Sequence, residues 1–145
     1  MTTRIFALAY GIVFAIAGIA GFVGALVMPP GADDPPLTVD AAHGRLLGLF
    51  PVNLLHNAVH IVFGIWGVLA FRTLDAARIY ARSVAVIYAV LAVMGLIPAL
   101  NTTFGLIPIH GHDVWLHAVL AAVAGYFGFL RTDVHVAARP YAARR

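Results

Sequence analysis

The 145-residue chain contains no cysteine, lysine, glutamate or glutamine, and only 10% of its residues are charged. Without cysteine there is no disulfide, no thiolate metal ligand and no cysteine nucleophile, and thiols carry no information about the redox compartment. The carboxylates are six aspartates. They form no catalytic pair, no Ser-His-Asp order runs along the chain, and no glycine-rich loop is built to cradle phosphate, so hydrolase and kinase chemistry lack machinery. So little charge also leaves too little polar surface to cover a soluble globule of this size.

What the chain has instead is apolar length. Hydrophobic residues make up 62% of it, and four runs, about 5–28, 51–71, 75–100 and 113–130, approach or exceed the roughly 20 helical residues that cross a hydrocarbon core. The first run exceeds the roughly 7–15 residues of a secretory signal core. It also ends in Val27-Met28-Pro29-Pro30 with no small-x-small cleavage pattern, so it is expected to stay as a span. Arg4, Arg72, Arg78, Arg82, Arg131, Arg139, Arg144 and Arg145 fall on one side of a four-span topology and only Arg45 on the other. Positive charge is retained inside, which places both termini in the cytoplasm and the chain in the cell membrane. The pI of 9.8 then reflects arginines facing anionic lipid rather than nucleic acid, since no aromatic-interleaved soluble module accompanies them. The expected architecture is all-α: one membrane domain over 1–145, a four-transmembrane-helix bundle with an inner tail at 131–145.

Small residues Gly11, Ala15, Gly18, Gly21 and Gly24 punctuate the first helix and predict a close helix contact, which leaves room for self-association or a membrane-protein partner. The long outer loop opens with "PPGADDPP", which prevents regular structure. Its second half, "VDAAHGRLLGLF", is expected to lie as a short interfacial helix. Thr73 is the expected N-cap of the third helix. The second and fourth helices repeat a pattern: each begins Gly-Leu-x-Pro, and His56 precedes Gly64 and Gly67 as His117 precedes Gly125 and Gly128. Both run from outside to inside, so the repeat predicts a parallel pair of helical hairpins, two plus two.

The polar residues concentrate at one end. In "NLLHNAVH", Asn53, His56, Asn57 and His60 fall on one helical face that continues as Gly64 and Gly67, so the stripe meets protein and not lipid. The fourth helix offers Asp113 and His117 at the same end, and six of the seven histidines lie outside or at outer helix ends. Histidine is the commonest metal ligand, and a carboxylate completes or orients such a set. His56, His60, His117 and Asp113 therefore have the ligand types for a transition metal ion. His117 with His56 or His60 also has the form of an axial haem pair held between two helices. Against this stands a network without cofactor, in which the histidines and asparagines bridge helices by hydrogen bonds, Asp113 caps its helix, and Asn53 and Asn57 serve packing. That structural or accessory role is the first reading, and metal or haem binding for metal handling or electron transfer is the alternative. An enzyme comes third, because it needs an open coordination position. A proton-coupled exporter is disfavoured, since every Asp and Arg lies at a helix end or outside the bilayer.

The segments "GLFPVNLLHNAVHIVFGIWGVLAF" and "GHDVWLHAVLAAVAGYFGF" resemble the two signature helices of a bacterial family known as a domain of unknown function. The N-x-x-H-N-x-x-H run, paired with Asp113-Val114-Trp115-Leu116-His117, carries the likeness. It implies a small four-helix protein of the bacterial inner membrane over roughly residues 5–130, and it implies no activity.

Overall fold

The computed structural model describes residues 1–133. The rest of the expected inner tail, with His135, Arg139, Arg144 and Arg145, lies outside the described residues. The order is α1 (Thr3–Ala20), a 3-10 turn (Gly24–Leu26), β1 (Val27–Met28), β2 (Gly44–Leu46), β3 (Phe50–Val52), α2 (Leu54–Ala70), α3 (Leu74–Gly95) and α4 (His112–Gly125), which runs on as a π-helical turn (Tyr126–Leu130). Three of these helices, α1, α3 and α4 with its π turn, are long and apolar enough to cross a membrane, and α2 is a shorter apolar helix of 17 residues.

α1 packs mainly on α2 and α3 mainly on α4. Lipid tails are as apolar as leucine, so helix pairing in a membrane depends on close van der Waals contact, which small residues allow. Gly11 and Gly64 supply it. A Cβ on Gly11 would sit 2.6 Å from the backbone nitrogen of Val68, and one on Gly64 would sit 2.7 Å from that of Ala15. Gly18 does the same against the Asn57 carbonyl, whereas Gly24, expected on this face, approaches nothing. Between the two pairs lies an aromatic core of Phe6, Phe14, Tyr80, Tyr88 and Phe127. Phe6 stacks on Phe127 at 4.6 Å and Phe14 on Tyr88 at 5.3 Å. At the end holding Thr3 and Asp133, arginine guanidiniums satisfy carbonyls left free at helix ends: Arg82 donates to Gly128 and Arg4 to Phe71, each at 2.8 Å.

The opposite end departs from expectation. The first helix stops at Ala20 rather than near residue 28, because Val27 and Met28 extend to pair with Leu46 and Arg45. "VDAAHGRLLGLF" is not an interfacial helix: β2 and β3 form an antiparallel hairpin turned by Leu47-Gly48-Leu49, and with β1 they make a three-stranded sheet in the order β1-β2-β3. Gly48 has φ +72° and Leu47 has φ 53°, a left-handed pair that ends any helix. Pro51 has no N–H to donate and sits on the edge strand β3, where that loss is tolerated. α2 consequently begins at Leu54 and not at Pro51, and α3 ends at Gly95, short of residue 100. Thr73 caps α3 as expected, its hydroxyl accepting from Ala76 at 3.2 Å. The hairpin is tied to the proline-rich loop by Arg45, which grips Asp34 through two nitrogens. That guanidinium holds the Asp34 carboxyl below its ordinary range.

Gly11→Val should lower the stability of detergent-solubilised protein by about 1–3 kcal/mol through overpacking, while Gly24→Ala leaves it unchanged. Thermal unfolding of the two variants checks this.

Candidate metal centre

Asn53 and Asn57 bond to backbone. Asn53 is the N-cap of α2, its side-chain oxygen accepting from the His56 amide at 2.9 Å. Its Nδ2 donates to the carbonyls of Val39 and Leu106, both at 2.7 Å. One side chain thus ties both long loops to the start of α2. Thr38 adds a direct loop-to-loop bond, donating its amide to Gly105 at 2.8 Å. Asn57 donates to the Gly21 carbonyl at 2.8 Å, fixing the end of α1 against α2. These asparagines hold the framework.

The loops they anchor close the end of the bundle. Pro51, Val52, Pro108 and Ile109 are buried there, so the histidines lie beneath a roof rather than in an open mouth. This roof was not anticipated, although the repeated Gly-Leu-x-Pro supplies both of its prolines. His110, in the same loop, is half-buried, and burial holds its imidazole below the usual value.

Beneath the roof, His56, Asp113 and His117 converge. They are 4%, 2% and 2% exposed, and one donor atom from each lies within 4.8 Å of the others. Nε2 of His56 stands 3.8 Å from an Asp113 oxygen, too far for a hydrogen bond. Nδ1 of His56, Nδ1 of His117 and Oδ2 of Asp113 have no hydrogen-bond partner among the described residues. The carbonyls of Pro51 and Pro108 flank the His56 ring, but in positions that do not meet hydrogen-bond geometry with its Nδ1. A buried polar group without a partner costs roughly 1–3 kcal/mol, more for a charged one. Each of the three residues that converge here carries one such atom. Donors sharing one zinc at about 2.0–2.1 Å in a tetrahedral shell lie about 3.3–3.4 Å apart, so a modest inward movement of the side chains would close the set on an ion.

Asp113 is not the cap of its helix: Gly111 occupies that position and Asp113 lies in the first turn with its side chain turned inside. His60 stands beside the group and not in it. Its ring stacks on His56 at 4.7 Å and meets Phe14 at 5.6 Å, while Tyr88 meets the His117 ring at right angles, 4.8 Å away. The ring centroids of His56 and His117 lie 6.3 Å apart, tilted at 43°. A cavity of about 350 Å³ reaches His56, His60 and Asp113 from the α1 side, and one of about 50 Å³ reaches His56, His60 and His117 from the α3 side.

A family model described as Domain of unknown function (DUF4383) matches residues 4–130. No match to the chain was found among curated proteins or solved structures.

Asn53→Ala should cost about 1–2 kcal/mol for the lost cap and free two carbonyls, so amides of residues 38–42 and 102–109 should exchange faster. Hydrogen exchange read by mass spectrometry checks it, and unchanged loop protection would contradict the anchoring role.

Proposed function

We propose, for a chain that belongs to the family described as Domain of unknown function (DUF4383), that it is an integral membrane protein holding a divalent transition metal ion on His56, Asp113 and His117. The observation that carries this reading is the convergence of His56, Asp113 and His117, buried and with one ligand atom from each within 4.8 Å of the others. Asn53 is satisfied through both its nitrogen and its oxygen, and Asn57 donates to Gly21 while its Oδ1 has no partner among the described residues. What sets His56, Asp113 and His117 apart is that they are metal-ligand types brought within 4.8 Å of one another. Two imidazoles and one carboxylate form a set common to zinc and non-haem iron, with a further coordination position open.

The arginine asymmetry supports cytoplasmic termini and an outward-facing site, in a single four-span domain of the bacterial inner membrane. The parallel two-plus-two arrangement draws support from the matched helix pairing and from Pro51 and Pro108, both buried, although four more residues separate the proline from the histidine in the second copy. In that setting the protein acts in metal handling or as an accessory to a membrane partner, and His60, stacked on His56, is a supporting residue. The purely structural reading is favoured by one observation, the Asn53 and Asn57 bonds, and those account for the framework without accounting for the histidines.

The test is elemental analysis with an absorption spectrum on protein purified in mild detergent without a polyhistidine tag. About one equivalent of zinc, iron or manganese per chain and no Soret band are expected. His56→Ala and His117→Ala should lose the metal, and His60→Ala should keep it. A folded, metal-free protein that takes up none of these ions would contradict the proposal and restore the structural reading.

A further inference from the structure

The roof of Pro51, Val52, Pro108 and Ile109 closes the direct approach to the histidines along the bundle axis. A second approach lies on the flank. α1 and α4 touch toward the end holding Thr3 and Asp133, where Phe6 stacks on Phe127 and the Tyr10 hydroxyl donates to the Leu120 carbonyl at 3.4 Å. Toward the hairpin they part, and the gap is the cavity of about 350 Å³, within the range of small-molecule sites. Val13, Ile16, Ala17 and Ala20 of α1 form one wall, Leu116 of α4 the other, and the hairpin residues Leu46, Leu47 and Phe50 cover it. Val13, Ile16 and Leu47 are more than half exposed at its rim, so in a bilayer this opening faces lipid. Its floor is polar: His56, His60 and Asp113.

The chemistry of the lining selects an occupant. The walls are aliphatic and aromatic, which suits an alkyl or isoprenoid chain. No arginine lines the cleft, so a phosphate or carboxylate head would be buried beside Asp113 without a counter-charge, at high cost. A hydroxyl fits. It donates to the unpartnered Oδ2 of Asp113 and accepts or donates at the imidazoles. The geometry points to a lateral binding site for a neutral, hydroxyl-bearing membrane amphiphile of the alkylphenol or quinol class, entering between α1 and α4 with its head at Asp113, His56 and His60.

This site goes beyond the metal reading and stands without it, although Asp113 and His56 serve both. The test uses the full chain in lipid nanodiscs, as purified and after chelator treatment, with a 4-alkylphenol carrying a photoreactive diazirine on its tail. Labelling should concentrate in residues 13–20 and 46–52, saturate, and be displaced by 4-octylphenol at least about tenfold better than by octylbenzene, which lacks the hydroxyl. Ala17→Phe and Ala20→Phe, which fill the cleft, should each abolish displaceable labelling while metal content stays that of the parent chain. Labelling that spreads over the exposed helix faces, that octylbenzene displaces equally well, or that survives in both variants would overturn the proposal. Displaceable labelling of a chain that never holds metal would uphold the cleft and count against the metal centre alone.

Discussion

Where a bilayer surrounds a bundle, there is no water to compensate a polar group left without a partner, so every buried donor and acceptor has to be answered from within. His56, Asp113 and His117 are placed under that constraint without an answer among the described residues. Much of the surrounding construction serves to keep them there. The glycine contacts of α1 on α2 set the depth of His56, the packing of α3 on α4 sets that of His117, and the aromatic core locks the pairs together. The hairpin and the second loop then cover the group, with Asn53 holding both loops to the start of α2.

That division of labour explains why a polar stripe of four residues does not behave as one unit. Asn53 and Asn57 present amides: Asn53 bonds to backbone through both its oxygen and its nitrogen, and Asn57 donates to the Gly21 carbonyl while its oxygen has no partner among the described residues. The imidazoles of His56 and His117 and the Asp113 carboxylate gather instead, with one ligand-type atom from each within 4.8 Å of the others. His60, one helical turn from His56, is outside that group, and its ring stacks on that of His56. Polar groups within membrane helices mark functional positions because their burial is costly, and here two histidines and an aspartate are gathered at one place.

The parts legible in the sequence were those governed by short-range periodicity. The i, i+3, i+4 spacing of Asn53, His56 and Asn57 puts them on a buried face, the small residues of α1 foretell its contact with α2, and Thr73 foretells a cap. What escaped was set by pairing across the chain. "GRLLGLF" is apolar enough to lie as a helix in the interface, and only the left-handed Leu47-Gly48 turn and the partner strand at Val27–Met28 make it a hairpin. The roof escaped for the same reason, since it needs two loops more than fifty residues apart to meet on the Asn53 amide. Asp113, read equally as cap or ligand, was decided by Gly111 taking the cap and by the aspartate turning inward.

The most direct measurement is X-ray absorption spectroscopy at the zinc edge on the full chain loaded with one equivalent of zinc. The account predicts a low-coordinate zinc with two imidazoles, seen by their multiple-scattering pattern, and one carboxylate oxygen, reduced to one imidazole in His117→Ala. A spectrum of oxygen ligands alone, or one unchanged by that substitution, would contradict the assignment of His56, Asp113 and His117 as a metal centre.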